Sequence, residues 1–278
     1  MSEEVTSQPT GVTVALLGDL HVGSTLGLMP PNGVKIGDEG ERMPSRAQLW
    51  LWKCWERFVD RVKTTSQGRR LYVVVNGDVI DGKSHQSAQV WTDNMYYQRE
   101  AAVTCLNELA DADEVFFIRG TAAHTGIMAQ HEEAIADELV AEPCPEGTHS
   151  WWTLLADFGG QLFDIAHHPQ FNSRVPWMHG GAAVRLASAA VMQYGGRRQR
   201  IPDFVVRSHV HRFQDSGTNV MGCRGLILPC WQLRTEYAHR IASPLPDIGG
   251  IIIDCDPGLA PRVYAELYEP EATKPWQP

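Results

Sequence analysis

The sequence predicts an α/β fold, and three observations carry that expectation. Apolar, β-rich runs alternate with stretches of helical period, the runs are almost continuously apolar, and the last third of the chain has strand-like runs but little helical patterning. Strands of that kind between helices indicate a sheet covered on both faces, and the helix-poor end indicates added antiparallel strands.

The expected strands begin with VTVALL (12–17), LYVVV (71–75) and EVFFI (114–118). They continue with QLFDIA (161–166), DFVVR (203–207), GLILP (225–229), GIIID (250–254) and RVYAELY (262–268). Two helices are expected between the first three. RAQLWLWKCWERFVDRVKT (46–64) sets Trp52, Trp55, Val59 and Val62 near a 3.6-residue spacing, and MYYQREAAVTCLNELAD (95–111) does the same with Ala102, Leu106 and Leu109. The tryptophans read as core, although a helix face used between two copies of the chain has the same pattern. MAQHEEAIADELV also looks helical and gives His131 a structural place. From Gly23 to Pro44 the chain is rich in Gly and Pro without periodicity, which reads as a lid or rim loop. The 278 residues fit one domain, residues 1–278, with residues 1–10 as a disordered tail.

No apolar run reaches eighteen residues, and the N-terminus lacks the basic-then-apolar pattern of a signal peptide, so a cytoplasmic protein with no membrane partner is expected. The six cysteines, Cys54, Cys105, Cys144, Cys223, Cys230 and Cys255, form no CxxC pair and read as structural free thiols. With 24 Lys and Arg against 33 Asp and Glu, the formal charge of -9 disfavours a broad grip on nucleic acid. Arg197, Arg198 and Arg200 form one basic cluster, read either as a solvated loop or as a phosphate-gripping one.

The chemistry stands at the strand ends. The first strand runs into Asp19 and His21, the second into Asp78 and Asp81, and the third into Thr121 and His124. The next two run into His167–His168 and into His209 and His211. Ligands of α/β sheets sit outside the carboxyl ends of strands, so five such ends converge on one crevice. Two aspartates and about four histidines without cysteine suit Mn, Fe, Zn, Ni or Co, and offer more ligands than one ion needs. Asp78 bridging two ions would set them about 3.5–4 Å apart, the spacing of two-metal phosphoryl-transfer sites. His209 and His211, two residues apart on an extended segment, point the same way. By the same alternation His167 and His168 should diverge, so only one of them is expected to ligate.

The ordered set GDLH, GDVID, GTAAH, AHHP and SHVH, over residues 18 to 211, resembles the motifs of the calcineurin-like metallophosphoesterase superfamily, in a phage- or bacterial-type branch with GTxxH in place of GNH. The resemblance implies a two-layer β-sandwich of mixed sheets flanked by helices, with a di-metal site at the carboxyl ends of the strands. It implies that Asp19, His21 and His211 hold one ion, that Asp78 bridges, and that His209 and His168 hold the other, His168 standing before the break at Pro169. The Asn that the family places in its third motif is absent. Either Thr121 replaces its oxygen and His124 is the acid, or His124 becomes a ligand and a neighbour such as His167 donates the proton. Asp81 is expected to orient a ligand imidazole. Ser208 stands where the family has Gly, a small-for-small change.

The implied function is hydrolysis of phosphate mono- or diesters, with a nucleotide or cyclic nucleotide favoured, through hydroxide held by two divalent ions, Mn foremost. The alternatives are a nuclease of the same superfamily, which needs a basic channel, and a protein-binding scaffold with an eroded site. His179 is a candidate cleft-lining residue, and His85, His149 and His239 are given no role.

Overall fold

The structure is a computed structural model that describes residues 11–37, 39–83, 88–170, 181–218, 220–240 and 244–271. The expected tail, His85 and His179 lie outside the described residues.

Two mixed sheets form the centre. The first contains β1 (Val12–Leu17), β4 (Arg70–Asn76), β5 (Glu114–Ile118), β6 (Ser150–Trp151), β12 (Ile248–Cys255) and β13 (Arg262–Tyr268), in the order β13-β12-β1-β4-β5-β6. The strands from β1 to β6 run parallel, and β12 and β13 add antiparallel strands at one edge. The second contains β7 (Leu154–Phe158), β8 (Gln161–Ile165), β9 (Phe204–Arg207), β10 (Gln214–Asp215) and β11 (Arg224–Ile227), in the order β10-β11-β9-β8-β7. A small hairpin, β2 (Val34–Lys35) with β3 (Glu41–Arg42), stands apart from both. The helices are α1 (Arg46–Thr65), α2 (Met95–Leu106), α3 (Ala122–Thr125), α4 (Gln130–Glu138), α5 (Gly181–Gly196) and α6 (Glu236–Arg240).

Strand periodicity assigns each apolar residue to a layer. Val14, Leu16, Tyr72, Val74, Phe116 and Ile118 turn towards the second sheet, where Phe163, Ile165, Phe204, Val206 and Leu226 meet them. Their neighbours Ala15, Leu17, Val73, Val75 and Phe117 turn the other way, under α1 and α2. Trp52, Trp55, Phe58, Val59 and Val62 of α1 are buried there, with Trp55 edge-on to Trp231 at 4.9 Å, so the tryptophan helix covers the core. Ser45 opens α1 with a capping box closed by Gln48. On the outer face of the second sheet, Val205 and Ile227 pack under Ala182, Leu186, Ala187 and Ala190 of α5. Gly225 lets that helix sit close, since a Cβ there would lie 2.1 Å from the carbonyl oxygen of Ala183. The result is the expected sandwich of two mixed sheets flanked by helices.

Some expectations need correction. Within the segment 23–44, expected as a lid or rim loop, Leu28 and Met29 are fully buried in the cluster under α1, and the Leu28 amide donates to the Leu20 carbonyl at 3.1 Å. Besides several elements of two to five residues, α5 and the edge strand β7 were not apparent in the sequence. Ala- and Gly-rich α5 has weak amphipathicity, and β7 alternates between buried and exposed residues without an apolar run. All six cysteines are free and buried, as expected.

The aromatic centre of the sandwich is open to test. Phe163, fully buried, stacks on Phe204 with centroids 4.7 Å apart. Phe163→Ala should cost about 3–5 kcal/mol, read as a lower urea midpoint at unchanged slope.

Candidate metal centre

The carboxyl ends of β1, β4, β5, β8 and β9 meet at one end of the sandwich, and backbone pairing holds their loops together past the last strand residue. Asp19 and His21 amides donate to the carbonyls of Gly77 and Asp78 at 2.9 and 3.1 Å. The Ser208 amide donates to the His167 carbonyl at 2.8 Å, and the Asn76 side chain reaches the Ala166 carbonyl at 3.2 Å, which joins the two sheets. Asp19, His21, Asp78, His209 and His211 all have left-handed backbone, with φ between 47° and 71°. They are five of the nine described non-glycine residues with positive φ. That conformation costs roughly 1–2 kcal/mol for each L-residue, so its concentration here marks a site that the fold maintains under strain.

Two donor sets result. In the first, Asp19, His21 and His211 converge with His211 Nε2 3.3 Å from Asp19 Oδ1 and 3.1 Å from His21 Nε2. His21 Nδ1 lies 3.1 Å from Asp81 Oδ1, which also accepts from the Gln232 amide at 3.1 Å. With Nδ1–H donated to Asp81, His21 Nε2 carries the lone pair that faces the set. Burial holds the His21 imidazole below its ordinary pKa, against the pull of Asp81, which favours the neutral ligand form. The His209 amide donates to Asp19 Oδ2 at 3.0 Å, whereas buried Asp19 Oδ1 accepts no hydrogen bond.

The second set surrounds Asp78, which is 1% exposed. Its Oδ2 lies 3.1 Å from His167 Nε2, 3.1 Å from Thr121 Oγ1 and 3.8 Å from His209 Nδ1, and its Oδ1 accepts from the Thr121 amide at 2.6 Å. Thr121 Oγ1 is also 3.2 Å from both His168 Nε2 and His209 Nδ1. Thr121 thus puts a hydroxyl oxygen beside Asp78, His168 and His209. Gly120 admits the close approach, because a Cβ there would lie 2.3 Å from the Asp78 amide nitrogen and Oδ1.

The expected divergence of His167 and His168 does not occur. Strand β8 ends at Ile165, so alternation no longer governs them, and their rings lie 4.8 Å apart, near-perpendicular, both beside His209. Buried His167 donates Nδ1–H to the Asn76 carbonyl at 2.7 Å and aims Nε2 at Asp78, while His168 is exposed to the cleft. His124 donates Nδ1–H to the Asp81 carbonyl at 2.7 Å and sets its ring edge-on to His21 at 4.6 Å. Two contributors were invisible in the sequence. Gln232 and Glu132 reach the site only through the fold, and no local motif marks either.

The donors fit divalent ions of the transition series. Four overlapping triads, Asp19–His21–His211, Asp19–Asp78–His167, His21–Asp78–His124 and His167–His168–His209, each bring their ligand atoms within 4.8 Å of one another. The carboxylate oxygen of Asp19 without a donor and the facing nitrogens of His21 and His211 are what a cation would reconcile. Without one, the charge balance rests on protons. Burial alone would raise the Asp78 pKa, but His167 and His209 outweigh it and hold it well below the usual range. Burial likewise opposes the His167 proton, yet the Asp78 and Asp19 carboxylates push that imidazole up to about 9. His168 goes the other way, down to about 4, through burial and the neighbouring His167 and His209.

No family model matches the sequence, and no curated protein matches it. Among solved structures, the chain is similar to a single mutant of Vps29 from Entamoeba histolytica, with TM-score 0.42 and 13% identity over 92% of this chain and 99% of that one. It is similar to wild-type Vps29 from the same organism, complexed with zinc, with TM-score 0.38 and 13% identity over 91% and 99% of the two chains. It is also similar to the sulfate thiohydrolase SoxB of Thermus thermophilus in complex with glycerol, with TM-score 0.43 and 12% identity over 91% of this chain and 56% of that one.

The protonated His167 gives the metal-free protein a pH signature. Its folded pKa of about 9 lies above the ordinary 6.5, so its stabilising contribution is complete below about 6.5 and is lost as pH rises through about 9. Thermal melting in chelator should therefore show a midpoint that falls over that window, and added Mn should flatten the profile. A flat profile in chelator would contradict the assignment.

Proposed function

We propose that this chain is a single-domain, metal-dependent phosphoesterase of the calcineurin-like metallophosphoesterase superfamily, acting on phosphate mono- or diesters of small substrates such as nucleotides. The observation that carries the reading is the pair of adjoining donor sets that meet at Asp78, each lined by imidazoles with an aimed nitrogen. In this reading Asp19, His21 and His211 hold one ion, and Asp78 is shared. His167 and His209 hold the other, with the Thr121 hydroxyl in the place of the family's Asn. His168, first expected as the ligand, becomes a cleft-lining neighbour, because buried His167 is the one oriented by Asn76 and directed at Asp78. Manganese is the ion expected first.

Divalent ions there supply Lewis-acid charge, which acidifies water and neutralises the phosphoryl oxygens. The chain's own residues do the rest. Asp81 and the Asn76 carbonyl fix the tautomers of His21 and His167, so the donor nitrogens are aimed before any ligand arrives. His124, anchored through Nδ1 to the Asp81 carbonyl, keeps Nε2 free to hand a proton to the leaving alkoxide. The solvent-open side, at His168 and the 37%-exposed His209 side chain, is where an ester can enter.

Among the described residues, the arginine cluster at 197–200 does not supply the basic channel that the nuclease reading needs. Arg200 is spent on Asp157 and Asp203 at 2.8 and 2.9 Å, and the arginine cluster precedes β9, so it lies at the opposite end of the strand from His209.

The reading is tested with chelator-stripped protein on bis-p-nitrophenyl phosphate and p-nitrophenyl phosphate, with and without Mn. Mn-dependent turnover should appear and should vanish, together with bound metal, in Asp78→Asn; activity that survives in that variant would refute the scheme. His124→Asn should keep its metal and lose about 10²–10⁴-fold in kcat on an alkyl phosphate ester, but much less on a p-nitrophenyl ester, whose phenolate departs without a proton. Equal losses on both substrates would exclude His124 as the acid.

A further inference from the structure

Glu132 is a fully buried carboxylate that belongs to no donor set. It stands in the first turn of α4, and both its oxygens are occupied by backbone. Oε2 accepts from the Gly120 amide at 2.7 Å, and Oε1 accepts from the Val79 amide at 3.3 Å. Val79 directly follows Asp78, and Gly120 directly precedes Thr121. One side chain thus clips the two loops that present the shared aspartate and the hydroxyl beside it, each one residue from the clip. The loops are fused from the other side as well, through the Thr121 amide on Asp78 Oδ1 and the close approach that Gly120 permits. Asp78 holds a left-handed φ of 52°, a conformation that persists only where its surroundings over-determine it.

We infer that Glu132 is a positioning residue that fixes Asp78 and Thr121 relative to each other and thereby sets the affinity of the second ion position, the one assigned to Asp78, His167, His209 and Thr121. The inference rests on the two-ion reading. The first position shares backbone with the clipped loop, since the His21 amide donates to the Asp78 carbonyl and the Val22 amide to the Val79 carbonyl, but its Asp19 and His21 side chains are oriented by the His209 amide and by Asp81, which Glu132 does not touch, so it depends less on the clip.

The test is Glu132→Gln, which keeps the side-chain volume but has one oxygen for two amide donors, so its NH2 must face one N–H. Manganese is titrated into the apo protein by calorimetry, and the loaded protein is examined by electron paramagnetic resonance for coupling between two Mn ions. Expected are a second-ion Kd weakened about 10–100-fold, a first-ion Kd within about twofold of wild type, and loss of the coupled signal at sub-saturating Mn. Should the Gln variant not fold, Glu132→Asp, which retains both oxygens on a shorter arm, reads the same two constants. Two unchanged affinities, or equal weakening of both, would overturn the clip. Wild-type protein that takes up only one ion would overturn the two-ion reading and the inference with it, so the two failures are separable.

Discussion

The carboxylate of Asp78 is buried to 1% exposure between two sheets, and a charge taken that far from water is costly unless partners surround it. Here the partners are an amide and a hydroxyl from Thr121 and the imidazole of His167. Much of the local architecture follows from satisfying that one group. The left-handed turn at Asp78 directs it inward, Gly120 leaves room beside it, and the β5 loop folds over it through Thr121. His167 is pinned by the Asn76 carbonyl so that it faces the same oxygen. Positive charge is required here, and the site is arranged so that a proton or a metal ion can provide it.

Much of this was legible in the sequence. The bounds of β1, β5 and β13 are those read from the sequence; β1 and β5 are near-continuous apolar runs in a sheet covered on both faces, whereas β13, RVYAELY, is a more exposed edge strand. Every strand end singled out by a polar residue reaches the same crevice. Other features were not legible, each for a physical reason. His167 and His168 share a cleft because the strand stops at Ile165, and a two-residue period has no force in the turn beyond it. Glu132 and Gln232 act across 53 and 151 residues of sequence, through contacts that only the tertiary fold creates. Segment 23–30 has the composition of a loop but the burial of a core, since Gly and Pro describe how a backbone turns and not what its Leu28 and Met29 touch.

The two ends of the sandwich differ in where their imidazoles stand. At the amino ends of β4, β9 and β13, cations and anions are matched: Arg69 and Arg262 with Asp254 and Asp256, and Arg200 with Asp157 and Asp203. Such pairs satisfy one another and ask nothing of a ligand. At the carboxyl ends of β1, β4, β5, β8 and β9, carboxylates and imidazoles gather in overlapping groups.

The Asp19 carboxylate and the His209 amide, joined by a hydrogen bond, are 190 residues apart. One comes from the first sheet and the other from the second, and between these sheets the main contact is a layer of apolar side chains. The donors run from Asp19 to His211, so no fragment shorter than that interval holds the complete set, and a cation captured there would join both layers. Its binding energy would then act as a rivet across the sandwich, and high-affinity metal uptake would report that the two sheets have closed on each other.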